Sequence, residues 1–174
     1  MRTHIVALAR TWLGTPYHHQ ASVKGAGTDC IGLVRGIWRE LYGAEPQALP
    51  AYTRDWAEAM GRETLLEAAR RHLIEVSTAA AQPGDVLIFR WRRTAPAKHC
   101  TILSAPGLPL PACGERVGVR GSQRQITIGS ATMIHALEGA PVSEVPLSPW
   151  WRRRLAGAFA FPDAVKSVGM GNEE

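Results

Sequence analysis

Apolar positions recur at helical spacing in the first part of the chain and change to short β-type runs in the second half. Between residues 3 and 13, Ile5, Leu8, Ala9, Trp12 and Leu13 share one helical face, and Gly14 ends the run. The loop "TPYHHQASVKGAGT" follows. A second helix is predicted from Thr28, with Thr28 as its N-cap and Asp29 near the positive helix end. Its stripe is Leu33, Val34, Ile37, Trp38 and Leu41, and Gly43 stops it. After the connector marked by Pro46 and Pro50, residues 53–75 predict a third helix bent at Gly61. Leu65, Leu66, Ala69 and Leu73 face inward there, opposite the charged Arg62, Glu63, Glu67, Arg70 and Arg71.

At "QPGDVLIFRW" the period changes. Pro83-Gly84-Asp85 predicts a turn and Val86 to Trp91 a buried strand. "HCTILS", "RQITIG", "ATMIHALE" and "LAGAFAFP" predict further strands, with a loop or protruding hairpin between Ala105 and Gly121. Helices first and strands second argue an α+β fold, its antiparallel β-sheet packed on the N-terminal helices. The pattern gives one domain over 1–165 and a flexible tail over 166–174, without repeats or linkers.

At 174 residues the chain buries roughly 70% of its unfolded surface and needs no staples. Cys30, Cys100 and Cys113 lack metal-ligand spacing and are odd in number, which argues against a disulfide framework and for a reducing compartment. "MRTHIVALARTWLG" is too short and too interrupted for a signal peptide or membrane span. Synthesis in the cytoplasm without a signal peptide is therefore expected, and action outside would require another route. The net charge of +5 permits anionic partners without choosing among them. The arginines are scattered except at Trp150, Trp151, Arg152, Arg153 and Arg154, a grouping typical of a protein interface; no nucleic-acid partner is expected.

Cys30 sits at the start of the second helix behind the glycines of "GAGTDCIGL". Free N–H groups and the helix dipole favour a thiolate there and offer donors for an oxyanion, the Cys30 amide among them. Gly25, Gly27 and Gly32 would let backbone and substrate approach closely. A packed, inert thiol fits the same local pattern. A nucleophilic cysteine also needs a base. His4 and His72 fall on helices beside charged residues, and His18 and His19 lie in the preceding loop; these read as surface positions. His99 opens one apolar strand, and His135 lies inside another, sharing a face with Met133 and Leu137. Both strands are able to meet one helix-terminal cysteine.

In order along the chain, "LGTPYHHQASVKGAGTDCIGL", "PGDVLIF", "KHCTIL" and "MIHALEGAPV" resemble the motifs of the NlpC-type cell-wall cysteine peptidases. The matching segments span residues 8–161. The ending "PWWRRRLAGAFAFP" looks like the phage and gene-transfer-agent tail branch of that family. The resemblance implies a papain-like fold with Cys30 as nucleophile, His99 as general base and His135 as the polar residue that orients it. It also places Tyr17 at the oxyanion or the substrate amine, and Asp29 either on a substrate amino group or at the helix cap. The implied substrate is the peptidoglycan stem peptide, cut after γ-D-glutamate, with no metal or organic cofactor. A zinc site from Cys30, His99, Cys100 and His135 is disfavoured because neighbouring strand residues diverge. Assembly into a tail-like particle through Trp150 to Arg154 and the insertion would account for the missing export signal. The alternatives are a structural tail-tip protein on the same fold, and an amidase or acyltransferase. Three departures stand out. Ile31 replaces the usual serine after the nucleophile. Cys100, which alternation turns away from His99, reads as packing. Residues 105–130 form an insertion between the two histidines.

Overall fold

Helix α1 (Arg2–Arg10) buries Ile5, Val6 and Ala9, as its apolar spacing requires. Its partner α2 (Cys30–Tyr42) buries Gly32, Leu33, Gly36, Ile37 and Trp38. The two approach closely because Gly36 lacks a side chain: a Cβ there would lie 2.1 Å from the Trp12 ring. A computed structural model describes residues 1–53, 61–105 and 131–163 of the protein. The expected "RQITIG" strand, the insertion but for its first residue, Ala105, and the 166–174 tail lie outside them.

The start of α2 differs from the sequence expectation by one residue. Asp29, not Thr28, is the N-cap, its Oδ1 accepting the Gly32 N–H at 2.7 Å. Thr28 is committed to a strand instead, its amide donating to the Pro16 carbonyl. The preceding loop is also more ordered than its punctuation suggests. Strands β1 (Ser22–Val23) and β2 (Gly27–Thr28) pair antiparallel, and Tyr17 bridges to Thr28. At the far end Gly43 caps α2 with φ +86°, a conformation that favours glycine.

The third helix is shorter than expected. Helix α3 spans Thr64–His72, and strand β3 (Ile74–Val76) begins where helix was expected to continue. Leu73 is already extended, because pairing of Ile74 to Val76 with the last strand satisfies the backbone outside the helix. Residues 54–60 of the expected helix lie outside the described residues.

The other main strands are β4 (Val86–Arg90), β5 (Ala97–Ala105), β6 (Thr132–His135), β7 (Ser143–Pro146) and β8 (Leu155–Ala160). The first three and β8 fall on the short apolar runs that predict strands; β7 has no such signal. They form one antiparallel sheet in the order β3-β8-β4-β5-β6-β7. A single turn of helix, α4 (Pro149–Arg152), leads into β8.

Both faces of the central strands are covered. Val86, Ile88, Cys100, Ile102 and Ile134 pack against α1 and α2 together with Ile5, Trp12, Leu33 and Ile37. Leu87, Phe89, Leu103, Met133 and Ala158 form a second apolar layer, with Leu147 and Trp151 against it. The architecture is thus α+β, with N-terminal helices on an antiparallel sheet, the arrangement of the papain-like fold. No helix among the described residues is long and apolar enough to cross a membrane.

Candidate active site

The N-terminus of α2 is pinned against the loop before it. Asp29 Oδ1 caps Gly32, while Oδ2 accepts the Gln20 N–H at 2.7 Å and the Tyr52 hydroxyl. His19 Nδ1 stands 3.7 Å from the same oxygen, and its Nε2 lies 2.9 Å from the Tyr52 carbonyl. Gly32 is required at this junction, because a Cβ would come 1.9 Å from the Ala21 carbonyl oxygen. The expectation that Gly27 and Gly32 make room for substrate is therefore corrected: Gly32 makes room for the loop backbone, and Gly27 for the His18 ring. Gly25 adopts φ +76° with open space around its Cα.

Cys30 occupies the first helical position with its Sγ 3.9 Å from the Lys98 carbonyl oxygen of β5. Strand β5 brings two neighbours to it. Cys100 donates from Sγ to the Cys30 carbonyl oxygen at 3.1 Å, and His99 stands at the adjacent position of the strand, lining the same cleft as Cys30. The Cys100 thiol and His99 beside it hold the Cys30 thiol well below its ordinary range against the opposing effect of burial. The Cys100 thiol, wholly enclosed beside it, moves the other way. Of the two neighbouring thiols, Cys30 is the one at the helix end, which favours a thiolate there.

His99 and His135 are both buried, and His99 Nε2 lies 3.2 Å from His135 Nδ1. Burial and the neighbouring His99 push the His135 pKa down to about 4, so its ring is neutral over most of the pH range. A neutral His135 with its proton on Nε2 presents Nδ1 as an acceptor for the His99 N–H. That leaves His99 Nδ1 for the cysteine. Trp151 stacks on the His99 ring at 5.2 Å between centroids and 28° between planes. It also meets His135 edge-on at 5.7 Å, while Trp91 lies 5.5 Å from His99. Aromatic walls thus fix both imidazoles and keep water from them.

Cys30 and His99 line a cleft of about 640 Å³, together with Tyr17, His19, Asp29, Ile31, Tyr52, Trp91, Arg92, Lys98 and Glu138. Within the first turn, the Gly32 amide serves Asp29 Oδ1 and the Leu33 amide serves the Asp29 carbonyl. The amides of Cys30 and Ile31 are the remaining helix-end donors, at two residues that line the cleft. Ile31, unexplained by the sequence, packs against the apolar core beneath the cleft, which a serine would not fill.

Cys30, His99, His135, Tyr17 and Asp29, all singled out in the sequence, come together here. Four participants were not: His19, read as surface, Cys100, read as packing alone, and Tyr52 and Trp151. The "WW" pair was visible but read as an interface, because only the sheet register reveals that Trp151 lies over His99. Tyr52 carried no signal, since its contact depends on how the connector folds back over Asp29.

The model of the NlpC/P60 family matches residues 14–159 of the chain. No curated protein matches it in sequence. Among solved structures, an NlpC/P60 family protein from Bacillus cereus superposes with a TM-score of 0.56 at 18% identity, over 91% of this chain and 39% of that one. The NlpC/p60 domain of the peptidoglycan hydrolase SagA gives 0.52 at 20% identity, over 90% and 96%. A protein similar to lipoprotein, of the NLP/P60 family, from Staphylococcus aureus gives 0.53 at 18% identity, over 91% and 41%. The likeness at these identities is one of fold. The chain spans about two fifths of the length of the Bacillus and Staphylococcus proteins.

Proposed function

The chain belongs to the NlpC/P60 family, and from that premise we propose that it is a cysteine peptidase that hydrolyses an amide bond of the peptidoglycan stem peptide. The observation that carries this reading is that Cys30 at the start of α2 and His99 line one cleft, with His99 Nε2 3.2 Å from His135 Nδ1 behind it. A structural protein retaining only the fold would have no use for that conjunction.

In the proposed reaction the Cys30 thiolate attacks the amide carbonyl, and the amides of Cys30 and Ile31 receive the developing oxyanion. His99 gives its proton to the leaving amine, while His135 keeps the ring in position. Water, giving its proton to His99, then attacks the thioester and expels the thiolate, which releases the acid and restores the thiolate beside a protonated His99. Tyr17 stands at the cleft beside these groups. Asp29 is placed to act through the helix cap, since internal donors occupy both its oxygens.

The resemblance of the motifs further supports cleavage after γ-D-glutamate and assembly into a phage-tail or tail-like particle that acts at the cell wall. On that reading the exposed Trp150 and Arg153 are available to a particle partner, whereas Trp151 is committed to the site. Digestion of purified muropeptides followed by mass spectrometry tests the proposal. The wild-type protein should release two fragments whose masses identify the bond, and Cys30→Ala should release none. Equal cleavage by the two would remove Cys30 as nucleophile.

A further inference from the structure

The connection between β4 and β5 is fixed at several points and carries a cation to the cleft. The Ala95 amide donates to the Arg92 carbonyl at 3.2 Å, closing a four-residue turn. Glu63 accepts from the Ala97 amide at 3.0 Å and from the Arg90 guanidinium, which also donates to the Ala95 carbonyl at 3.0 Å. On the other side Arg154 Nε donates to the Trp91 carbonyl at 3.1 Å, and the Trp91 ring lies 5.5 Å from His99. The Arg92 backbone is thereby held where the residue lines the cleft shared by Cys30 and His99. Its arginine neighbours are engaged: Arg90 pairs with Glu63, and the Arg154 guanidinium carbon lies 3.9 Å from the Trp150 ring centroid. The Arg92 side chain is exposed, and its guanidinium has no hydrogen-bond, ion-pair or ring partner among the described residues. Lys98 adds a second cation to the same lining. Of the acidic residues there, Asp29 and Glu138, the first already serves internal donors with both oxygens.

Resting on the reading of the substrate as a peptidoglycan stem peptide, we propose that Arg92 is a specificity-determining residue that binds a free carboxylate on a residue flanking the scissile amide. A guanidinium presents a planar fork that pairs with a carboxylate through two parallel N–H···O bonds. An ordinary peptide spends its backbone carboxyls in amide bonds. A glutamate linked through its γ-carboxyl keeps its α-carboxylate, and a dicarboxylic diamino acid keeps one on its side chain. Either is an anion beside the bond to be cut. A cleft of about 640 Å³ encloses one small ligand, so a cation on its wall is within reach of the residues on both sides of that bond. The turn that fixes the Arg92 backbone reduces the ordering needed when the carboxylate arrives. The net charge of +5 permits anionic partners in general, and Arg92 gives that preference a place and a chemical group. Because the carboxylate takes no part in the exchange of bonds, Arg92 holds substrate and transition state alike. Its contribution therefore falls on KM and not on kcat.

Steady-state hydrolysis of synthetic stem peptides in three forms tests this: one with both carboxylates free, one with the glutamate carboxylate as its carboxamide, and one with the diamino-acid carboxylate as its carboxamide. The wild-type protein should show a KM about tenfold higher for at least one amidated form at similar kcat, and the form affected identifies the carboxylate bound. Arg92→Ala should raise KM about tenfold on the free form and lose the preference. Arg92→Lys, which keeps the charge without the fork, should retain part of it. Thermal unfolding of both variants should match wild type, since the side chain is exposed and supports no other group among the described residues. If the wild-type protein cleaves all three forms equally well, or Arg92→Ala discriminates as wild type does, the subsite falls while the peptidase reading stands. If wild type cleaves none of the three, the peptidase reading falls and the subsite with it.

Discussion

His135 contributes to the site by remaining uncharged. Its ring is buried beside His99, with a pKa of about 4, so above about pH 5 it is an acceptor for His99 and never a competing cation. Removing the acceptor in His135→Ala should lower kcat/KM about 100-fold, whereas His135→Gln, which returns a carbonyl oxygen, should lose only about tenfold. Steady-state hydrolysis of a muropeptide checks the order, and equal losses would mean that His135 merely fills space. The same depression acts on stability. An unfolded histidine takes its proton near 6.5 and the folded one only near 4. The unfolded state therefore binds more protons in that window, and stability falls as pH drops through it, by up to about 3 kcal/mol. Urea unfolding at pH 7 and pH 4.5 should show a smaller drop for His135→Gln than for wild type. At this scale the sequence offered candidates, because reactive residue types are few: one cysteine at a helix start and two histidines on strands, which the order of the family motifs, and not their own spacing, joined into a set. It was silent about Cys100 and Tyr52, whose roles depend on which neighbour each side chain meets.

Among the elements, α2 carries Cys30, and its first turn is held by one carboxylate with three hydrogen-bond partners. Asp29→Ala would lose the cap to Gly32 and leave the Gln20 amide and Tyr52 hydroxyl without their acceptor, at a cost of about 2 kcal/mol. Asp29→Asn keeps a cap oxygen but sets an amide where Gln20 and Tyr52 donate, and should cost about half as much. Chemical denaturation measures both. A large rise in KM with unchanged stability would instead assign Asp29 to a substrate amino group. Helix and strand periods were legible along most of the described chain, and Gly43 ended α2 where the pattern said it would. The misses have local physical causes. Thr28 and Asp29 are both good caps, and only the β2 pairing commits Thr28 elsewhere. Residues 74–76 lack a strong period of their own, and the edge of β8 recruits them as β3. β7 is similarly short and is defined by its partner β6.

For the whole molecule, long-range pairing decides what local pattern does not. The sheet order places β8, the last strand, between β3 and β4, and this puts α4 and Trp151 over His99. Nothing in the "WWRRR" segment encodes that register, so an aromatic wall of the site was read as an outer surface. The same closure brings α1 beside β7, where Arg10 Nε and Nη2 donate to Glu144 at 3.1 and 3.0 Å, 134 positions apart in sequence. The Arg10 guanidinium, helped by the Ser104 and Thr132 hydroxyls and opposed by burial, holds Glu144 at a pKa of about 2. A carboxylate depressed in the folded state stabilises it above the unfolded pKa near 4.5, and that contribution disappears as pH falls toward 2. With Arg10 half exposed, solvent screening reduces the pair to about 1 kcal/mol. Glu144→Gln and Arg10→Ala should each lower stability by about that much at pH 7, and the double variant by little more than either, as expected of one shared interaction. The difference from wild type should narrow as unfolding is repeated from pH 5 down to pH 3. A deficit unchanged across that range would mean that the bidentate contact supports packing between α1 and the sheet edge and contributes no charge stabilisation.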